Sequence, residues 1–161
     1  MSSIGVIRHR VTNKEGDIMR SIFVALLIAL LFIPLFANDD NFLDELIRNA
    51  ENGLAEAQFI LGVCYDLGEG VVKNDKQAVY WFEKAANQGH AGAQFSLGVC
   101  YEYGKGVVRN YQTAYFWYLL AAANGNEMAK DSMNKIAKQL SSAQQSEIQA
   151  RATRWFEEHQ E

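Results

Sequence analysis

The chain has 161 residues, 49% of them hydrophobic and 21% charged, with twelve glycines and one proline. That balance excludes a collagen-like or intrinsically disordered chain and suits a single globular domain. The net charge of −4 opposes attraction to nucleic acid and to anionic membrane surfaces, so it argues against both as partners.

Residues 1–18 carry no hydrophobic periodicity and read as a disordered extension or a start assigned too early. Residues 19–37 have the pattern of a signal peptide. Arg20 precedes an uncharged run from Ser21 to Asn38, within which Ile22–Ile33 is built from Leu, Ile, Val, Phe and Ala. A run of about a dozen apolar residues is short of the ~20 that a bilayer span requires. Ala37, a small residue, closes it ahead of the polar Asn38-Asp39-Asp40-Asn41. These features predict an exported protein, periplasmic or secreted, cleaved after Ala37. The alternative is an uncleaved signal anchor, because Leu35 is larger than the residue usual two places before a cleavage site. No cysteine follows the run, which argues against a lipid anchor. From Asn38 onward there are 11 Lys and Arg against 17 Asp and Glu, a net charge of −6.

The remainder, residues 38–161, repeats itself. Residues 55–90 and 91–126 align without a gap, with 19 of 36 positions identical. In each copy Ala57, Leu61, Cys64 and Tyr65 (then Ala93, Leu97, Cys100 and Tyr101) recur at helical spacing. Gly68-Glu69-Gly70 and Gly104-Lys105-Gly106 break that helix, the first glycine suiting a left-handed C-cap and the second a tight turn. Val71-Val72 and Val107-Val108 are expected to lead back into the core. Asn74 and Asn110 suit the N-cap of a second helix, which carries Ala78, Trp81, Phe82, Ala85 and Ala86, or Ala114, Trp117, Tyr118, Ala121 and Ala122. Shifting the register back by one repeat makes 41–54 a half repeat, whose Asn41–Asn52 is a second helix. Shifting it forward makes Glu127–Leu140 a further first helix. Ser142-Ala-Gln-Gln145 has the form of a capping box and opens a last helix with Ile148, Ala152 and Trp155 on one face. Residues 127–159 would thus cap the exposed apolar end of the stack, which a solenoid needs in order to stay soluble.

The pattern Ala-x-Ala-Gln-x-x-Leu-Gly-x-x-Tyr-x-x-Gly-x-Gly-Val, followed by Ala-x-x-Trp-Phe-x-Lys-Ala-Ala-x-x-Gly, resembles the Sel1-like repeat, a relative of the tetratricopeptide repeat. The resemblance implies an all-α fold, a short right-handed α-solenoid of antiparallel helix pairs with a C-terminal capping helix. It also implies recognition of other proteins by an adaptor. One cysteine-rich branch of that family bridges the two helices of each repeat and is linked to β-lactam binding or hydrolysis. Its cysteines would fall near Gln58 and Ala86, and near Gln94 and Ala122, where this sequence has none. That framework and its activity are not carried over.

Little else in the chain suggests chemistry. Cys64 and Cys100 occupy one site in adjacent repeats, where helices about 8–10 Å apart exceed the ~7 Å reach of a disulfide. They read as small hydrophobes with no disulfide. The glycine turns lack the preceding strand and following Gly-Lys-Ser/Thr of a phosphate loop. His9, His90 and His159 are too dispersed to supply the three or four converging ligands of a metal site. Ser96 has no partner that spacing would bring near it. The expectation is therefore no metal, no cofactor and no catalytic residue. Tyr65, Tyr101, Trp81, Trp117, Phe82 and Tyr118 read as core.

The candidate partner-binding residues are Phe59, Val63 and Asp66 on one first helix and Phe95, Val99 and Glu102 on the next. By analogy with tetratricopeptide arrays they line the concave face, as two apolar rows edged by acids; the alternative is that Phe59 and Phe95 only pack on neighbouring repeats. The leading expectation is an exported interaction module that binds a peptide or helix of another protein. An envelope-associated hydrolase and a membrane-anchored structural adaptor are the rivals.

Overall fold

The computed structural model describes residues 39–159. The extension expected at 1–18 and the signal peptide expected at 19–37 lie outside the described residues. Within them the chain forms α1 (Asp39–Glu51), α2 (Ala55–Leu67), α3 (Asp75–Asn87), α4 (Ala91–Tyr103), α5 (Tyr111–Ala123), α6 (Glu127–Ala137) and α7 (Ser142–Glu158). Helices α2 and α3 are the two halves of the first repeat, and α4 and α5 those of the second.

Each pair is made by local chemistry. Gly68 and Gly104 adopt φ of +81° and +73°, the left-handed region closed to most side chains, and their N–H groups donate to the Cys64 and Cys100 carbonyls. The first helix of each pair ends there. The second starts where the Asn74 side chain accepts from the Lys76 and Gln77 N–H groups, and the Asn110 side chain from that of Thr113. Each such cap stabilises its helix by about 1 kcal/mol. At the junction between repeats the cap is a histidine: His90 Nδ1 accepts from the Ala93 N–H at 3.1 Å.

Two local expectations need correction. Val71 and Val107 are half-buried, but Val72 and Val108 are 88% exposed. Val71 and Val107 lie in the bend that follows each glycine turn, and only this first valine of each pair is turned inward. The capping box of α7 is formed by Ser141 and Gln144, one residue earlier than expected. Gln145 instead donates back to the carbonyls of Ala137 and Leu140, at 2.9 and 3.2 Å.

Helix α2 packs on α3 and α4 on α5; α3 packs on α4, α5 on α6, and α7 along α5. Alanines at the crossings allow close approach. Ala85 and Ala86 of α3, Ala93 and Leu97 of α4, Ala114, Tyr118 and Ala121 of α5, Ala129 and Ile136 of α6, and Ile148 and Ala152 of α7 share one core. A second cluster joins Leu46 and Ala50 of α1 to Ala57, Leu61 and Trp81. Glycine at 62 and 98 lets an aromatic ring lie against the first helix of its own repeat. A Cβ at Gly62 would stand 2.6 Å from the Phe82 ring, and one at Gly98 would run into Tyr118.

Candidate functional site

The six residues expected to bind a partner are placed on α2 and α4 and are partly engaged by the fold. Phe59 is half-buried; its ring stacks on His90 at 4.6 Å and lies 6.0 Å from Phe82. Phe95, also half-buried, lies 5.6 Å from the Tyr118 ring. Val63 and Val99 are half-buried against the core. The four apolar residues therefore present a part-covered strip, each anchored underneath by an aromatic ring or by the core.

The two acids are each tied to the following unit. Asp66 accepts from Lys105 at 2.7 Å. Glu102 accepts from the Tyr118 hydroxyl at 2.7 Å and from Lys135 at 3.2 Å. These bonds stabilise the charged forms of the lysines, so hydrogen bonding to Asp66 raises the Lys105 pKa and hydrogen bonding to Glu102 raises that of Lys135. Burial, reinforced by the bond to Glu102, pushes the Tyr118 phenol well above its ordinary value. Asp66 and Glu102 thus act as braces between successive units as well as surface charges.

Glu102 also borders an open cleft. Where α4 ends, beside α6 and the turn into α5, a cleft of about 340 Å³ is lined by Glu102, Tyr103, Arg109, Tyr111 and Lys135. Tyr103 is 61% exposed. Lys135 lies 5.9 Å from the Tyr103 ring and Arg109 5.4 Å from that of Tyr111. Aromatic faces held between cations and a carboxylate suit a peptide, which offers apolar side chains, amides and charges together. Tyr103, Arg109, Tyr111 and Lys135 carry no motif, and their convergence depends on how α4 meets α6.

The same two repeats contain a polar device that the sequence pattern shows only as a shared glutamine. Gln58 and Gln94 are buried. Gln58 donates to the Ala50 carbonyl at 3.0 Å and accepts from Gln88 at 2.7 Å. Gln94 donates to the Ala86 carbonyl at 3.1 Å and accepts from Asn124 at 2.9 Å. Each first-helix glutamine thereby ties together the end of the preceding helix and the end of its own partner helix. Gln145 repeats the gesture from α7 to Ala137 at the same eight-residue spacing. These glutamines stand near the places where the cysteine-rich branch would carry a bridge.

Cys64 and Cys100 are both free thiols. Burial first, then the nearby Asp66 charge, pushes the Cys100 thiol up to about 11; burial also raises that of Cys64. A thiol that resists ionisation is a poor nucleophile. Among the described residues no group of three or more His, Cys, Asp or Glu is placed to hold a metal ion, and no helix is long and apolar enough to cross a membrane. The glycine turn at 104–106 packs on protein, since a Cβ on Gly106 would meet the Asp75 carbonyl.

Against this geometry, the family model of the Sel1 repeat matches residues 55–90 and 91–126. These are two Sel1 repeats. Similar solved structures have the same fold. One is a protective antigen of uropathogenic Escherichia coli displaying an SLR fold, with a TM-score of 0.67 and 34% identity over 71% of this chain. Another is a Sel1 repeat protein of Oxalobacter formigenes, with a TM-score of 0.54 and 41% identity over 55% of this chain. This chain covers 25% of the first and 36% of the second. No curated protein matches it. The described helices form a short all-α Sel1-type solenoid of helix pairs. Sel1 repeats generally mediate protein–protein interactions and are typically non-catalytic.

Proposed function

We propose that this Sel1 repeat chain is an exported adaptor that holds a peptide or a single helix of a partner protein along its first-helix face. The observation that carries this reading is the cleft shared by Glu102, Tyr103, Arg109, Tyr111 and Lys135, at the end of the part-exposed strip of Phe59, Val63, Phe95 and Val99. A solenoid offers extended surface rather than a deep enclosed pocket, and that surface suits a chain segment better than a small substrate. The cations Arg109 and Lys135 beside Glu102 give the cleft both signs of charge, so specificity comes from the order of charges along the ligand. Export is supported by the apolar run that precedes Asn38 and by the likeness to a protein described as a protective antigen, since an antigen of that kind is reached from outside the cell.

The structure dictates which variants test this. Glu102→Gln keeps an acceptor for the Tyr118 hydroxyl, and Tyr103→Ala removes an exposed ring, so neither strands a buried group. The wild-type chain and a Glu102→Gln, Tyr103→Ala, Lys135→Ala variant are used to capture proteins from the native envelope. The expected result is a discrete set of proteins lost from the variant, with its circular dichroism unchanged and its melting temperature modestly lowered by loss of the Glu102–Lys135 brace. An identical captured set from both would show that the partner does not use this face.

A further inference from the structure

A second concave surface lies on the side of the second helices. Helix α7 runs along α5, and its last turns face the end of α3 across a gap. That gap holds two adjoining cavities of about 370 and 220 Å³, which share Asn87, Trp155 and Glu158. The half-buried Trp155 lines both. Its ring is held in place by His159, stacked at 4.1 Å, and by the edge of Phe156 at 5.3 Å. Asn124 and Asn87 add amides to the larger cavity.

Arg151 and Arg154 line the smaller one. The Arg151 guanidinium sits 4.0 Å from the centre of the Phe116 ring, a contact that orients it and leaves its charge in place. Among the described residues neither arginine has a carboxylate within ion-pair distance. Two cations three residues apart on one helix face repel each other. Glu147 stands four residues before Arg151, and Glu157 and Glu158 three and four residues after Arg154, yet none of them is ion-paired to either guanidinium at the rim of this aromatic cavity. A ligand carboxylate would relieve that repulsion, and the guanidinium fork accepts it in two parallel hydrogen bonds.

We infer that the Arg151–Arg154–Trp155 cavity is a second binding site, for an acidic peptide segment that carries an apolar side chain. Its carboxylates pair with the two guanidinium groups and its apolar side chain lies against Trp155. Asn87 is placed to meet the peptide backbone, and Glu158, which lines both cavities, restricts the ligand's carboxylates to the arginine side. The site is separate from the cleft at the end of α4 and stands whether or not that cleft binds a partner.

The test titrates the full chain with a fluorescein-labelled peptide Glu-Asp-Leu-Glu-Asp-Leu and its uncharged counterpart Gln-Asn-Leu-Gln-Asn-Leu, read by anisotropy. The acidic peptide should saturate, and the amide peptide should bind at least about tenfold more weakly, the change expected when charge-assisted bonds are lost. Arg154→Gln alters one exposed side chain and should weaken the acidic peptide several-fold without changing the circular dichroism. Arg151→Glu with Arg154→Glu should weaken it by more than about tenfold. Lys73→Glu, which reverses one charge close to the glycine turn of the first repeat, should leave binding unaltered. Four results overturn the inference: no saturation below about 1 mM, equal binding of the two peptides, equal loss from Lys73→Glu, or wild-type affinity in Arg154→Gln and in the double variant. Sedimentation of the chain as a dimer that Arg154→Glu dissociates would also overturn it, by giving the cavity to a second copy.

Discussion

Replacing Gln94 by leucine removes the polar brace between the two repeats while keeping most of its volume. Gln94 is fully buried, donates to the Ala86 carbonyl at 3.1 Å and accepts from Asn124 at 2.9 Å. Neither partner is orphaned by the change. The Ala86 carbonyl also accepts from the Gly89 N–H at 3.0 Å, and Asn124 also donates to the Gly89 carbonyl at 3.2 Å. The loss is therefore the net worth of two hydrogen bonds, about 1 kcal/mol each, and not the larger penalty of a stranded buried group. Leucine returns part of it by burying more apolar surface. The expected destabilisation is about 1–2 kcal/mol, or a fall of roughly 4–8 °C in Tm for a domain of this size. Gln94→Ala should cost about 1–2 kcal/mol more, because it leaves a cavity. Urea and thermal unfolding of Gln94→Leu, Asn124→Ala and the double variant close a cycle whose coupling should be about 1 kcal/mol. A Tm drop under about 2 °C would refute the view that the glutamine ties the repeats together, and a coupling of zero would refute its bond with Asn124 within the second repeat.

The fold should lose stability as pH rises from about 9 to about 11: the buried Cys100 thiol titrates near 11, so above the ordinary value of 9.0 the unfolded chain ionises while the folded one does not. The loss should approach about 1.4 kcal/mol per pH unit from this group, and Tyr118, raised in the same direction, should add to it at higher pH. Urea midpoints measured from about pH 8 to 10.5 should fall less steeply for Cys100→Ala, and parallel curves would show that burial of the thiol contributes nothing. Gly106→Ala should destabilise more than Gly70→Ala, although both glycines have positive φ, of +70° and +71°. Both share a left-handed penalty of roughly 1–2 kcal/mol, but only at Gly106 does the new Cβ run into backbone, the Asp75 carbonyl of the preceding repeat; equal melting temperatures would show that the turn moves freely off α3.

What could be read from the sequence was whatever a few neighbouring residues decide. The gapless match of 55–90 to 91–126 makes the helix pair the unit, and the 3.6-residue spacing of Ala57, Leu61 and Cys64 marks the buried face of its first helix. Gly68 and Gly104 stop that helix because glycine takes a left-handed backbone that residues with a Cβ avoid, and Asn74 and Asn110 start the next because an amide oxygen is two or three residues from open N–H groups. Even within this local grammar a shift of one position escaped it: at Val72 the bend after the glycine turn decides which valine of the pair faces inward, and at Ser141 two adjacent serines each have a glutamine three residues on. The tertiary structure decided the rest. Asp66 and Lys105 are 39 positions apart, and Gln94 and Asn124 are 30 apart, so only the packing of one helix on another, within a repeat and between repeats, shows that the acids act as braces and that the shared glutamine is a buried tie. The same holds for the cleft of Tyr103 and Lys135 and for the cavity of Trp155 and Arg154, each assembled from helices that meet far from one another along the chain. Helix formation and capping are set by contacts within a turn or two, whereas exposure and pairing of a surface charge are set by whichever helix is packed beside it.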